Sequence, residues 1–221
     1  MEIDIVPACK RKNNAFIFDP AHGKETKGKR SPDGKHREYL WSRSREIGII
    51  KKVISLDLDV DFYFPYVQLE KEITPRTYRV KQYNKIAEAY DHCLMVPLHN
   101  DAAPSSITDK DGWCETAKGG AVWTSKGQDN SDPIASDWFR FMYKKYPDYN
   151  FRKQKYSDGD EDYEADFTVI AGYKSVKPKY DSFLIEWLFQ TCKSDVELLM
   201  DSDENERFEI NFAEWLIKRY I

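Results

Sequence analysis

The sequence predicts an α/β fold, a single domain on a mostly parallel, twisted sheet with helices on both faces. Three observations predict it. Short apolar runs alternate with stretches of helical periodicity, the order expected of strand–helix–strand units. The chain has 221 residues, enough for one well-cored domain, and no Gly/Ser/Pro-rich linker divides it. Several apolar runs also have His or Glu within or just beyond them, where an open α/β sheet presents its ligands.

Ala15 to Phe18 is an apolar run stopped by Asp-Pro, which suits a buried strand. From Tyr39 to Leu56, the residues Leu40, Ile47, Ile50 and Ile54 recur near helical spacing, and Val60 to Val67 alternates and is rich in aromatics, as a strand should be. Pro75 can open the next helix, because its missing N–H would be unsatisfied there anyway, and Val80, Tyr83, Ile86, Ala87 and Tyr90 form its apolar stripe. Cys93 to Leu98 reads as a second buried strand. Asn100 to Gly119 is a long polar stretch with the length of a functional loop, expected to border the site. Ala121 to Thr124 is expected as a strand, Pro133 to Tyr146 as a helix with Ile134, Trp138, Phe141 and Met142 inward, and Phe167 to Ala171 as a strand. Ser182 to Ile185 closes the sheet, and Glu204 to Tyr220 is an amphipathic final helix.

Composition excludes several classes. The 34 basic and 38 acidic residues are interspersed, so no electrostatic footprint for nucleic acid exists. The lysine-rich stretch from Lys24 to His36 and the acidic run 157–166 read as solvated loops, with weak Ca²⁺ affinity as the alternative for the acidic run. No apolar run is long enough to span a membrane. The start, MEIDIVPACKRK, lacks the charge order of a secretory signal, so synthesis in the cytoplasm is expected. Cys9, Cys93, Cys114 and Cys192 have no paired spacing and are expected as reduced thiols. Asp57, Asp59 and Asp61 lack the glycine and distal glutamate of a calcium loop and are read as the wet face of a strand end.

Four residues carry chemistry. His22 follows the first strand, and His99 occupies the equivalent place after another apolar strand. Glu38 follows the turn signal Ser31 to Gly34 at the start of the first long helix. Two imidazoles and one carboxylate make a three-ligand set for Zn²⁺ that leaves a fourth position for water. Glu186 ends an apolar run and is followed by Trp187, Leu188 and Phe189. A carboxylate in such surroundings needs a partner, for which a metal or its water is suitable, and burial raises its pKa toward the range of a working acid/base. His36 is read as a loop residue and His92 as the end of a helix, neither with a catalytic role.

These stretches together resemble the zinc-dependent N-acetylmuramoyl-L-alanine amidases of the amidase type 3 family, which act in bacterial cell-wall remodelling and as phage endolysins. FIFDPAHG looks like the family's first strand and zinc histidine, GKHREYLWSRSREI like its glutamate ligand opening a helix, and LMVPLHNDAAP like its second histidine strand. ITPRTYRVKQYNKIAEAY is similar to its Thr-then-Arg helix with a later Asn, here Asn84. GGAVWTS is similar to the strand after the substrate loop, and SFLIEWLF to the strand bearing the catalytic glutamate. Ala21 stands where the family usually has Gly, and Asn100-Asp101 replaces its usual Ala-Asn.

The resemblance implies that His22, Glu38 and His99 hold Zn²⁺ and that Glu186 is the catalytic acid/base. The substrate would be peptidoglycan, cut between N-acetylmuramic acid and L-alanine. Apart from the resemblance, a monomer is expected that reaches the wall as a released phage lysin does, with a wall-remodelling enzyme secreted by another route as the competing reading. The competing readings are another zinc peptidase or amidase acting on stem peptides, and a non-catalytic wall-binding protein on the same fold.

Overall fold

Side-chain alternation along the first strand decides how the sheet is covered. In β1 (Asn14–Pro20), Phe16 and Phe18 face one helical layer while Ala15 and Ile17 face the other, the two-residue period of extended chain. The computed structural model describes residues 12–153 and 159–221; Cys9, Ser157 and Asp158 lie outside the described residues.

The sheet runs β2 (Val60–Tyr63), β1, β3 (His92–Asp101), β7 (Leu184–Phe189), β4 (Ala121–Thr124), β5 (Tyr163–Glu164), with the two-residue β6 (Asp181–Ser182) also paired to β3. Every pairing is parallel except β4 with β7. The last strand in sequence is thus inserted at the centre of the sheet. It brings the C-terminal part of the chain against β3.

One face is covered by α1 (Glu38–Val53), α3 (Ser131–Lys145), α5 (Lys193–Met200) and α6 (Ser202–Tyr220). Between them and the sheet lies an aromatic core of Phe16, Phe18, Trp138, Phe183, Trp187, Phe208 and Phe212, with Trp187 and Phe208 centred 4.7 Å apart. Rings of this size contribute most of the buried apolar area and prefer such tilted contacts. The opposite face is covered by α2 (Arg76–Ala87) and the single turn α4 (Thr168–Ala171), over Ile17, Met95 and Leu184. Asp201 caps α6 by accepting from the N–H groups of Asp203 and Glu204 at 2.8 and 2.9 Å.

The structure corrects several expectations. Of the expected stripe, Leu40 on α1 and Ile54 just after it are exposed, at 48% and 47%, while Ile50 faces inward with Trp41, Ile49 and Val53 and with Ser42, Arg43 and Glu46. The polar inward residues had hidden the true stripe. Of the expected strand Phe167 to Ala171, only Phe167 is extended; Thr168–Ala171 is helical, ended by Gly172 at φ 75°, and a run this short gives no period that separates the two states. β2 stops at Tyr63, because Pro65 and the left-handed Tyr66 (φ 71°) turn the chain. His92 opens β3 instead of closing a helix. The short elements β5 and α5 had no signal of their own.

Candidate active site

His22, Glu38 and His99 meet at the carboxyl edge of the sheet. One ligand atom from each lies within 4.8 Å of the others, and the two imidazole rings stand edge to face with centroids 4.9 Å apart. His22 lies two residues beyond β1 and His99 near the end of β3, strands that run parallel and adjacent, while Glu38 is the first residue of α1. The group could hold a metal ion.

The local backbone explains how His22 is aimed. It has φ 44°, a left-handed conformation that a non-glycine residue adopts only when its surroundings hold it there. Arg43 supplies much of that hold. Its guanidinium donates to the carbonyls of Ala21 and His22 at 2.7 Å each, to Tyr39 at 3.0 Å and to Leu69 at 2.9 Å. Gly23 has no positive φ; its role is close approach, since a Cβ there would stand 2.3 Å from the backbone nitrogen of Glu72.

Around this trio lies a second ring of polar groups. Glu38 is fully buried; its Oε1 faces His99 Nδ1 at 2.9 Å, the Asn100 N–H at 3.2 Å and His22 Nε2 at 3.4 Å, and its Oε2 accepts from Gln190 Nε2 at 2.9 Å. His36 is buried behind it, its Nε2 2.9 Å from Asn100 Oδ1, and Asn100 Nδ2 donates to the Trp187 carbonyl at 2.8 Å. Glu72 Oε2 lies 3.5 Å from His22 Nδ1 and accepts from the Thr26 hydroxyl at 2.9 Å.

Sequence reasoning had set His36 aside as a loop residue and missed Glu72, Gln190 and Arg43. Gln190 alone carried a signal, a polar amide closing an otherwise apolar strand. Glu72 had none, because it comes from an irregular connection.

Glu186 sits in β7 directly opposite His99 in the register of β3, beside a bulge that shifts the pairing before Asp101 meets Phe189. Bulges of this kind re-aim side chains next to sites. Its Oε2 is buried with no hydrogen-bond partner. Burial, with the negative charges of Asp101 and Glu38 nearby, pushes its carboxyl well above the usual range. Burial works the same way on Glu38, but the two imidazoles facing it prevail and hold it well below that range. Two neighbouring glutamates are thus driven apart in proton affinity.

The donor set suits a metal. Both ring nitrogens of His22 are buried without a hydrogen-bond partner, and the Glu38 and Glu72 carboxylates stand on either side of that ring. Burial leaves His99 harder to protonate than usual, and a neutral imidazole is the form that binds metal. His22 shows the opposite balance: burial disfavours its charge, but Glu38 and Glu72 outweigh that and raise its pKa. A cation held there would take the place of that proton.

The site opens into a cleft of about 410 Å³ lined by His22, His99 and Glu186, by the cations Lys29, Arg76 and Arg79, and by Asp166 to Val169. Among the described residues, 102–119 do not line it. Nor do Asn100 and Asp101; of the stretch expected to border the site, Asn100 reaches it from behind, through its N–H to Glu38 at 3.2 Å. The rest is tied down elsewhere: the Cys114 N–H donates to the Thr191 carbonyl at 2.8 Å and the Gly119 N–H to Asp195 at 2.7 Å.

No protein-family model matches the sequence, and no curated protein matches it either. Solved structures do. An N-acetylmuramoyl-L-alanine amidase from Clostridium difficile 630 superposes with a TM-score of 0.68 at 18% identity, over 95% of this chain and 97% of that one. The amidase AmiC2 of Nostoc punctiforme gives 0.70 at 15% identity, over 95% and 98%. The catalytic domain of the amidase CwlV from Bacillus (Paenibacillus) polymyxa var. colistinus gives 0.69 at 14%, over 93% and 97%. At such identities the likeness shows a shared fold. The chemistry must be argued from the residues.

Proposed function

We propose that this chain is a zinc-dependent hydrolase of peptidoglycan that cuts the amide between N-acetylmuramic acid and the L-alanine of the stem peptide. One observation carries the reading: the ligand atoms of His22, Glu38 and His99 converge within 4.8 Å on a sheet edge where Glu186 stands opposite His99. The solved structures sharing the fold are described as amidases for this bond, which favours it over other amides.

In this reading His22, Glu38 and His99 hold the metal. Bound there, Zn²⁺ would polarise the scissile carbonyl and lower the pKa of its water toward ~7. Glu186 takes a proton from the attacking water at its unpartnered oxygen and passes it to the departing amide nitrogen, so that acid and amine leave as separate products. Its raised pKa makes it a stronger base toward that water. Glu72 keeps the His22 ring from turning, and His36, Asn100 and Gln190 keep the Glu38 carboxylate from swinging. Lys29 and Arg76 at the cleft wall offer positive charge to a carboxylate-bearing stem peptide. The enzyme acts on the wall after release from the cytoplasm.

Mass analysis of purified peptidoglycan digested by the zinc-loaded chain tests this. Free stem peptides with L-alanine at the amino end are expected. Shortened stems still joined to muramic acid would assign the chain to the carboxypeptidases, and intact wall with retained binding would make it an adaptor.

A further inference from the structure

We propose that Asp132, Asp160 and Asp162 form a second metal site, which binds a hard divalent cation of the calcium class. The three carboxylates come from different places in the chain: Asp132 from the first turn of α3, Asp160 and Asp162 from the segment that leads into β5. They each bring an oxygen within 4.8 Å of the other two. None of them lines the cleft of the first site.

Proximity of acids alone would mean little. The deciding observation is how two of them are buried. Asp162 is 0% and Asp132 5% exposed. One oxygen of each is accounted for, as Asp132 Oδ2 accepts from the Asp129 N–H at 2.8 Å and Asp162 Oδ2 from the Thr124 hydroxyl. The other oxygen of each, Oδ1, is buried with no donor.

Among the described residues no Lys or Arg forms an ion pair with Asp132 or Asp162, and Arg140, on the facing side of α3, is bound through both arms to Glu161 at 2.7 and 3.0 Å. Buried carboxylate oxygens without donor or counter-charge cost several kcal/mol in general, and a cation removes that cost.

The chemistry of the ligands selects the ion. All are oxygens, which suit Ca²⁺ or Mg²⁺ over Zn²⁺, and they come from a helix start and an irregular segment instead of a rigid cage. Ca²⁺ tolerates such irregular coordination, completed by water, whereas Mg²⁺ demands a near-ideal octahedron. The ion would pin the start of α3 to the segment that continues through β5 into Asp166 to Val169, a wall of the zinc cleft.

The test uses the full chain, zinc-loaded and stripped of calcium on a chelating resin. Ca²⁺ is titrated in by calorimetry, and unfolding temperature is recorded with and without it. The expected result is one Ca²⁺ per chain with a dissociation constant below about 1 mM, the range of surface calcium modules, and a higher unfolding temperature. Mg²⁺ should bind at least tenfold more weakly. Asp162→Asn and, separately, the less buried Asp160→Asn should weaken Ca²⁺ binding tenfold or more, while their calcium-free unfolding temperatures hold or rise because repulsion is relieved.

Wild-type protein that shows neither binding heat nor a thermal shift at roughly 10 mM Ca²⁺ would overturn the proposal. So would unchanged binding in both variants. Stabilisation of the wild type by acid in place of Ca²⁺ would show that the three carboxylates share a proton.

Discussion

A histidine in the left-handed region, clasped through its carbonyl by a buried arginine, is the most constrained element of the site. Arg43→Ala would strip donors from the carbonyls of Ala21, His22, Tyr39 and Leu69 together. A loss of about 3 kcal/mol or more in unfolding free energy is expected, since each buried acceptor left open costs roughly 1–3 kcal/mol. Denaturant titration measures it; a loss under about 1 kcal/mol would mean that His22 is held by other contacts. Glu72 acts at one remove, beside the ring nitrogen of His22 that faces away from Glu38. For Glu72→Gln, zinc affinity should fall about 10- to 100-fold, the usual scale for a carboxylate orienting a ligand imidazole, with little change in folding. Competition against a chromogenic chelator reads this directly, and an unchanged affinity would reduce Glu72 to an anchor for Thr26 and Arg76. The clustered trio itself was legible in the sequence, because His22, Glu38 and His99 each follow a recognisable boundary of strand or turn. Glu72 and Arg43 were not, since a second ring of contacts is made by tertiary packing that leaves no periodic trace.

At the scale of elements, α1 shows why periodicity alone misplaced a face. Its inward side carries Ser42, Arg43 and Glu46 between the apolar residues, and these polar groups serve the site: Ser42 Oγ receives the Ala21 N–H at 3.0 Å and lies 3.2 Å from Glu46 Oε1. Glu46 is fully buried, and burial together with the charge of Asp19 pushes its carboxyl well above the usual range. Because the folded form holds this proton more tightly than the unfolded chain, whose carboxyl titrates near ~4.3, the associated stability is complete below that value. It is lost as pH rises through the elevated folded pKa. Glu46→Gln keeps the hydrogen-bonding shape without that ionisation. Its stability relative to wild type should therefore improve between pH 5 and 8 by about 1 kcal/mol or more; parallel pH profiles of the two proteins would show that Glu46 is already ionised in the fold.

Across the whole molecule, the order of the strands does what no local pattern announces. The sheet class and its parallel character followed from apolar runs alternating with helical stretches. The insertion of β7 between β3 and β4, antiparallel to β4, comes from long-range pairing and had no local signal. That insertion sets Glu186 opposite His99 and seats Trp187 in the aromatic core. Phe212 lies at the centre of this core against Phe16, Phe18 and Trp138, so Phe212→Ala should cost about 3–5 kcal/mol, measured by thermal or denaturant unfolding, while a surviving fold keeps its zinc. The division of labour between Glu38 and Glu186 is the central claim, and parallel measurement of bound zinc and of turnover on purified peptidoglycan tests it most directly. Glu186→Gln should keep one zinc per chain and lose roughly 10²-fold or more of turnover, whereas Glu38→Ala should lose the metal first and activity with it. Full activity in Glu186→Gln, or zinc lost from Glu186→Gln and retained by Glu38→Ala, would contradict the assignment.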